Sequence, residues 1–288
     1  MSGTSSADAA IIELAFRVKN SSGDVINGDL RYIDDGNIRP VLLVCHGFTA
    51  HKDWGPFPQF GKQFARLGFA SIVFNFSHNG VGSNAGRFTE LEKFSQNTIG
   101  KELEDLRTVV DAIARREIGA SVIDPSRIAL VGHSRGAGVS LLYASFDTRV
   151  KAVAAWSTVA SFFRYTQHQK EEWEKQGFLP ITIRSMKTRL RYGIEVLRDL
   201  ERNREKYDLV KAVQRLTVPL LILHGEADVS VKPEEAQKLY QTSDKSKTEF
   251  MLIPHAGHMF GVKSGATKST PTVEHITELT AKWFHLNL

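Results

Sequence analysis

Cysteine is nearly absent from this sequence of 288 residues, which carries only Cys45. A single thiol cannot form an intramolecular disulfide, so packing alone has to hold the fold together, and a reducing cytoplasm is the natural setting for such a chain. Long hydrophobic runs are missing too, since none approaches the ~18 apolar residues of a membrane span. Residues 1–10 also lack the basic start and apolar core of a signal peptide. We therefore expect a soluble, cytoplasmic protein without a membrane partner.

Charge of one sign is not concentrated in any run or stripe, although the chain has a formal net charge of +5. Proteins that bind nucleic acid typically combine a basic stripe with a recognisable motif, and neither is present here. We therefore expect no nucleic-acid partner. The sequence does not indicate an oligomeric state.

Short apolar runs determine the predicted architecture. They are continuous rather than alternating, which is typical of strands buried on both faces of a parallel sheet. The runs are residues 41–45, 69–76, 127–131, 150–156, 220–223 and 249–253. Two β-like stretches within residues 11–31 are separated by Ser21-Ser22-Gly23-Asp24 and predict a leading hairpin.

Helical periodicity fills the intervals between these runs. Apolar residues share one helical face in two segments: Phe57, Phe60, Phe64 and Leu67, and then Leu103, Leu106, Val110 and Ile113. Residues 233–240 and 273–284 predict two further helices. Strands that alternate with helices predict an α/β fold with a mostly parallel, doubly wound sheet, and ligands of such sheets bind at the carboxyl ends of the strands.

Residues 158–217 interrupt this alternation with a helical, heavily charged segment. We predict that they form a helical cap inserted into one catalytic domain, which consists of residues 1–157 and 218–288. Residues 159–216 contain 13 Lys and Arg against 8 Asp and Glu, a balance of +5 that equals the net charge of the whole chain. This balance favours either a cationic lid that attracts anionic substrates or solvated helix faces. In the second interpretation an apolar pocket is formed by Phe162, Phe163, Trp173 and Phe178.

A candidate nucleophile follows the third of the apolar runs. The segment Gly132-His133-Ser134-Arg135-Gly136 has glycine two positions before and two positions after a serine. The spacing alone is weak, but the preceding strand and the following helical pattern place Ser134 on a tight strand-to-helix turn. Such a turn exposes the hydroxyl at the top of the sheet, and the amide of Arg135 then serves as one donor to an oxyanion.

A serine nucleophile needs a histidine base and a carboxylate that orients it. Two loops that follow later strands offer these residue types. The first has Glu226 and Asp228, and the second has His255 and His258. From the residues alone, each loop leaves two candidates open.

Taken together, these elements resemble the α/β-hydrolase superfamily over residues 30–288. The segments around Asp228 and His258 resemble the acid turn and the histidine loop of that superfamily, and the resemblance implies the triad Ser134, Asp228 and His258. Cys45-His46-Gly47-Phe48 resembles its short oxyanion loop, which implies the amide of Phe48 as the second donor. One departure is Asn75-Phe76-Ser77-His78-Asn79-Gly80, where many members have Asp-x-Arg-Gly.

The short oxyanion loop and the insertion resemble carboxylesterases of the cinnamoyl- or feruloyl-esterase kind, with prolyl-oligopeptidase-like peptidases and dienelactone hydrolases close to them. The resemblance implies a serine hydrolase that cleaves a small carboxylic ester through an acyl-enzyme. A peptidase or aminopeptidase, a thioesterase, an acyltransferase and a ligand-binding pseudoenzyme remain alternatives. We predict no cofactor and no metal. The segment Gly80-Val81-Gly82-Ser83-Asn84-Ala85 mimics a dinucleotide fingerprint, but its context lacks the helix and acidic residue that the fingerprint requires.

Overall fold

The computed structural model describes residues 10–82, 87–183, 188–262 and 269–288. The polar start, residues 2–8, and Ser83-Asn84-Ala85 of the dinucleotide-like segment lie outside the described residues. The strands are β1 (Ile11–Lys19), β2 (Val25–Ile33), β3 (Arg39–Cys45), β4 (Ala70–Phe74), β5 (Ile123–His133), β6 (Val150–Trp156), β7 (Phe178–Ile183), β8 (Thr188–Gly193), β9 (Leu220–Gly225) and β10 (Thr248–Ile253). The helices are α1 (Phe57–Arg66), α2 (Leu91–Ser95), α3 (Ile99–Ala114), α4 (Arg135–Ala144), α5 (Gln167–Gln176), α6 (Ile194–Arg202), α7 (Leu209–Arg215), α8 (Pro233–Thr242) and α9 (Pro271–Asn287).

An eight-stranded sheet organises the described residues, with strand order β1-β2-β4-β3-β5-β6-β9-β10. Strands β4, β3, β5, β6, β9 and β10 pair in parallel, whereas β2 pairs antiparallel with both β1 and β4. The carboxyl ends of the parallel strands therefore meet at one edge, where the loops after β3, β5, β9 and β10 come together. This confirms the predicted α/β fold and its leading hairpin.

Helices cover both faces of the sheet, as the doubly wound prediction requires. On one face, α1 and α9 bury Phe60, Phe64 and Phe284 against Trp156 and other sheet side chains. On the other face, α3, α4 and α8 bury a second cluster that includes Leu106, Leu141 and Leu239. The central strand β3 is buried at every position, which explains why its sequence shows no polar alternation.

The segment 158–217 is not helical throughout: besides the helices expected of a helical cap it contains two strands that the sequence analysis did not predict. Helices α5, α6 and α7 are accompanied by β7 and β8, which pair antiparallel as a separate two-stranded sheet. Leu190 and Tyr192 alternate inward along β8 while Arg189 and Arg191 face outward. The many charged residues gave this stretch the appearance of a solvated helix. The boundaries of the insertion and of the catalytic domain remain predictions.

In the described part of the chain, no helix is both long and apolar enough to cross a membrane.

Candidate active site

Ser134 occupies the turn between β5 and α4 with φ 56° and ψ −121°. Positive φ is unfavourable for a residue with a Cβ, so the surrounding structure has to hold this conformation in place. Two glycines make the turn possible. A Cβ at Gly132 would lie 2.4 Å from the Cα of Ala137, and one at Gly136 would lie 2.4 Å from the carbonyl oxygens of Cys45 and His46. Both approaches are to backbone atoms, which explains the glycine on each side of Ser134.

His258 and Asp228 form a hydrogen-bonded pair, although they stand on different loops. The Nδ1 of His258 lies 2.7 Å from Oδ2 of Asp228. Because an ionised carboxylate can only accept, Nδ1 carries the proton and Nε2 is left with a lone pair. His258 and Ser134 line the same cavity, and Nε2 is the ring nitrogen of His258 that Asp228 does not engage.

Asp228 is buried and receives several donors. The amides of Ser230 and Val231 each donate to Oδ1 over 2.9 Å, and His224 places Nε2 3.3 Å from Oδ2. Burial raises the pKa of Asp228, but the hydrogen bonds from His224, His258 and the Val231 amide hold it well below its usual range. The carboxylate is therefore ionised at neutral pH.

His224 is a buried partner of Asp228 that the sequence analysis missed. Its Nε2 also lies 2.9 Å from the carbonyl oxygen of Val231, so one ring nitrogen faces both the acid and the loop that follows the acid. The sequence did carry a signal for this residue: a histidine next to last in a fully buried strand, directly before Gly225.

The histidine loop is fixed through the main chain of His258. Its carbonyl oxygen lies 2.9 Å from Nε2 of His133 and accepts from the Ser157 hydroxyl over 3.2 Å. Burial lowers the pKa of His133 to about 3, so its ring is neutral and Nε2 carries the proton that it donates. A Cβ at Gly225 would lie 2.4 Å from the carbonyl oxygen of Ala256, so that glycine allows the same loop to approach β9.

The loop after β3 lies against the elbow. A Cβ on Gly47 would come within 3.1 Å of the Cβ of Ser134. His46 braces this loop, because its Nδ1 lies 2.9 Å from the Gly47 carbonyl oxygen and its Nε2 accepts from the Phe76 amide over 3.3 Å. Among the described residues, neither the amide of Phe48 nor that of Arg135 donates to an acceptor. Both are available as donors to an oxyanion.

The cavity above Ser134 has a volume of about 410 Å³ and lies between the sheet and the insertion. Residues from the insertion form much of its wall: Val159, Ser161, Phe162, Arg164, Tyr165, Gln169, Ile181, Tyr192 and Leu200. The catalytic side contributes Phe48, Ile99, Ser134, Arg135, Ser230, Val231 and His258. Residues of the segment 158–217 and Ser134 thus line one cavity, and the cap over the nucleophile stays a prediction.

Only one of the aromatic residues expected to form an apolar pocket lines the cavity. Phe162 does, whereas Phe163 lies under the guanidinium of Arg204 and Phe178 under that of Arg191. Trp173 is buried one layer further out, stacked on Tyr192 with 5.4 Å between ring centroids. The aromatic character of the wall comes instead from Phe48, Tyr165 and Tyr192, which the sequence analysis had not grouped.

The alternative acid and base lie outside this cavity. Glu226 accepts a hydrogen bond from the backbone amide of His255 over 3.1 Å, and both residues are exposed. His255 has φ 58° and lies in the turn that follows β10. The structure thus brings Asp228 and His258 together beside Ser134 and leaves Glu226 and His255 at the surface. In the part of the chain that is described, no group of three or more His, Cys, Asp and Glu side chains is placed to hold a metal ion.

The fold is that of the α/β hydrolases, and Ser134, Asp228 and His258 are the candidate triad within it. The chain belongs to the prolyl oligopeptidase family, whose profile matches residues 62–287. This confirms the predicted resemblance, which named relatives of that kind.

Individual relatives are distant and carry different activities in their names. The chain is 25% identical over 228 residues to the "Uncharacterized peptidase YuxL" of Bacillus subtilis (strain 168), covering 76% of this chain and 31% of that protein. It is 25% identical over 196 residues to "Esterase LipC" of Mycobacterium tuberculosis (strain ATCC 25618 / H37Rv), covering 61% and 45%. The chain thus spans less than half the length of these two curated relatives.

A solved structure supports the fold over nearly the whole chain. The ferulic-acid-bound Est1E from Butyrivibrio proteoclasticus superposes with a TM-score of 0.68 at 20% identity, covering 95% of this chain and 99% of that chain. At this identity the likeness concerns the fold alone.

Proposed function

We propose that this chain hydrolyses a carboxylic ester through an acyl-enzyme formed on Ser134. The observation that carries the proposal is the 2.7 Å bond from Nδ1 of His258 to Asp228, which leaves Nε2 free of that carboxylate on a histidine that lines one cavity with Ser134. A base in this tautomer takes the proton of a neighbouring serine hydroxyl.

The chemistry follows from these positions. Ser134 Oγ attacks the ester carbonyl carbon while its proton passes to Nε2 of His258, and the carbonyl oxygen becomes an oxyanion held by the amides of Phe48 and Arg135. Collapse of the tetrahedral species breaks the bond to the leaving alcohol, which receives the proton from His258. Water then repeats the two steps on the acyl-enzyme and releases the carboxylic acid.

The cavity favours an ester over an aminoacyl amide, the substrate of the aminopeptidase alternative. An enzyme that recognises a free amino terminus needs a carboxylate to pair with the ammonium group, because a buried unpaired charge is costly. Within the described residues, neither Asp nor Glu lines the cavity. Its walls are aromatic and aliphatic, which suits a neutral acyl group. We keep the cytoplasm as the predicted location and a small-molecule ester as the predicted partner.

The direct test removes the attacking oxygen. We expect Ser134→Ala to lower kcat for p-nitrophenyl esters by at least ~10³-fold, since loss of a triad serine typically costs several powers of ten. The fold should persist, which a thermal unfolding curve checks.

A fluorophosphonate should label the wild-type chain once and the variant not at all. Intact mass of the labelled protein and of an ester-treated sample should show the adduct and the acyl-enzyme on Ser134. Retention of more than a tenth of the wild-type rate would exclude the proposed nucleophile. A chain that binds esters without turnover or labelling would be a pseudoenzyme.

A further inference from the structure

The side chain of Arg135 has no part in the chemistry above, which uses only its amide. It is nevertheless 89% buried, with an exposed side-chain fraction of 11%, directly after the nucleophile. A guanidinium is costly to remove from water unless its hydrogen bonds are satisfied and its charge is balanced. Its partners should therefore indicate why it is there.

Three segments of the chain hold this guanidinium. Its Nε donates to Glu102 of α3 over 3.0 Å, and one Nη donates to the carbonyl oxygen of Asn97 over 3.1 Å. The other Nη donates to the hydroxyl of Tyr192, on β8 of the insertion. Tyr192 in turn donates to the same Asn97 carbonyl over 3.1 Å. The insertion is thereby tied to the residue that follows Ser134.

The flat face of the same guanidinium lies over Phe48, 5.2 Å from the ring centroid. Tyr192 also packs on Phe48, with 5.1 Å between ring centroids, and Phe94 packs against it at 5.6 Å. Trp173 supports Tyr192 from the outer side. The ring of Phe48 is thus enclosed by Arg135 and by a tyrosine of the insertion. Its backbone amide is the second proposed oxyanion donor.

We propose that Arg135 and Tyr192 are positioning residues that hold the Phe48 loop against the elbow, so that the insertion helps to shape the oxyanion site. The inference rests on the proposed function, because it assigns these side chains to the same site. Arg135 is placed for this role rather than for binding an anionic substrate. Its charge is balanced by Glu102, and three of its N–H groups are taken by protein acceptors.

Two conservative variants test the role. Tyr192→Phe removes only the hydroxyl and keeps the ring stack, whereas Arg135→Lys keeps the charge and removes the planar fork. We expect kcat to fall about 10- to 100-fold in Arg135→Lys and less in Tyr192→Phe, with KM nearly unchanged, because small misplacements of catalytic donors act on the transition state. Since the two side chains act together, the double variant should be little worse than Arg135→Lys alone.

A transition-state analogue distinguishes positioning of the oxyanion donors from a merely structural role. A boronic acid forms a tetrahedral adduct with the serine, and one of its oxygens occupies the oxyanion site. Its inhibition constant should rise in each variant by the factor by which kcat/KM falls, while binding of the product carboxylate should change little. If the inhibition constant of the boronic acid is unchanged, or if kcat/KM falls only because KM rises, Arg135 and Tyr192 merely line the pocket. Either result would overturn the inference.

Matched controls lie in the same insertion. Tyr207→Phe removes a different tyrosine hydroxyl, which donates to the carboxylate of Asp199 over 3.0 Å, and Arg191→Lys changes another arginine stacked on a ring. Neither residue lines the cavity, so both variants should keep the wild-type kcat. If Arg135→Lys does not fold, Arg135→Met combined with Glu102→Gln removes both charges together, and the same loss of kcat is expected. A wild-type chain that is neither labelled by fluorophosphonate nor active overturns both proposals, whereas an active wild type with unaffected variants overturns this one alone.

Discussion

Each of the two loops offers two residues of the same chemical type, so only the position of a residue in the fold distinguishes the acid and the base from the alternatives. Asp228 is buried and bonds to His258, which lines the cavity, while Glu226 accepts from the amide of His255 at the surface. A histidine that cannot reach the serine cannot take its proton, and a carboxylate that does not bond to that histidine cannot orient it.

We therefore expect Asp228→Asn and His258→Ala to lower kcat by about 10³- to 10⁴-fold. The first substitution removes the carboxylate that orients the His258 ring, and the second removes the base itself. Glu226→Gln and His255→Ala should stay close to the wild type. Initial rates with one p-nitrophenyl ester at saturating concentration provide the comparison. An inactive His255→Ala together with an active His258→Ala would reassign the base.

The residues that the sequence could not identify are those that act across long separations in the chain. Glu102 and Tyr192 reach Arg135 from positions 33 and 57 residues away. No local spacing marks such contacts, because they depend on how α3 and the insertion pack. Residues with a local signature, such as Ser134 between its glycines, were predictable because the elbow needs a fixed pattern within a few positions.

At the scale of elements, the elbow depends on close approach between main chains. Gly136 and Gly138 both belong to α4, yet an added Cβ meets different neighbours at each. At Gly136 it would lie 2.4 Å from backbone oxygens of the β3 end, whereas at Gly138 it would lie 3.0 Å from side-chain tips of Leu209 and Phe162. Side chains can rotate away, and strand backbone cannot.

We expect Gly136→Ala to lower the free energy of unfolding by more than about 3 kcal/mol or to prevent soluble expression, since an overlap with backbone has to be relieved by moving β3 or α4. Gly138→Ala should change stability by no more than about 1 kcal/mol, because better helix propensity offsets the tighter packing. Urea denaturation of the two variants gives the comparison. Equal losses would show that the approach of α4 to β3 is not the limiting contact.

Asp105 links three elements through one buried carboxyl. It lies on α3, accepts from Asn20 in the β1–β2 turn over 2.9 Å and accepts from the Ser77 amide after β4 over 2.7 Å. Burial raises the pKa of Asp105 to about 7, although both of those hydrogen bonds act in the opposite direction. The loop after β4 in which the usual superfamily pattern is missing is thus anchored to α3 through this group.

This pKa predicts a pH dependence of stability. An unfolded aspartate releases its proton near pH 3.8, whereas the folded state keeps it to about pH 7. The folded state therefore holds one more proton in this window, and the contribution of Asp105 to the free energy of unfolding decreases as the pH rises through it. Below about pH 4 the contribution is fully present.

We expect the free energy of unfolding of the wild type to fall, relative to that of Asp105→Asn, by a few kcal/mol between about pH 4.5 and pH 7.5. The asparagine does not titrate, so the difference between the two curves isolates this group. Asp111→Asn, on the partly exposed face of the same helix, controls for removal of a carboxylate. Parallel curves for wild type and Asp105→Asn would contradict the prediction.

The pattern of secondary structure was predictable where burial leaves a simple signature. Strands β3, β6 and β9 are apolar because both faces of the sheet are covered, and their runs in the sequence coincide closely with the strands. The pair β7 and β8 was not predicted, because only two positions of β8 point inward and its arginines have the charge pattern of a solvated helix. A two-residue alternation is too short to outweigh that composition.

At the scale of the whole molecule, the insertion concentrates positive charge but does not present it to the cavity. Of the described cations, only Arg135 and Arg164 line the cavity, and each is paired with a carboxylate, Glu102 and Glu235 respectively. Lys170 and Arg198 pair with glutamates elsewhere in the insertion. Arg184 and Lys187 lie outside the described residues. These pairings favour the interpretation of solvated faces over that of a cationic lid.

We therefore expect the discrimination between a neutral ester and its carboxylate-bearing analogue to be independent of ionic strength. Steering by an unpaired cationic lid would speed capture of the anionic ester by about tenfold or more at low salt, and the advantage would vanish as salt screens it. Among the described residues, Arg164 is the one cation of the insertion that lines the cavity, and its pairing with Glu235 weakens the field that it would exert there. Values of kcat/KM for both esters, measured from low to high salt in the same buffer, give the ratio directly. A ratio that shifts toward the neutral ester as salt rises would restore the cationic lid and make an acidic ester the preferred substrate.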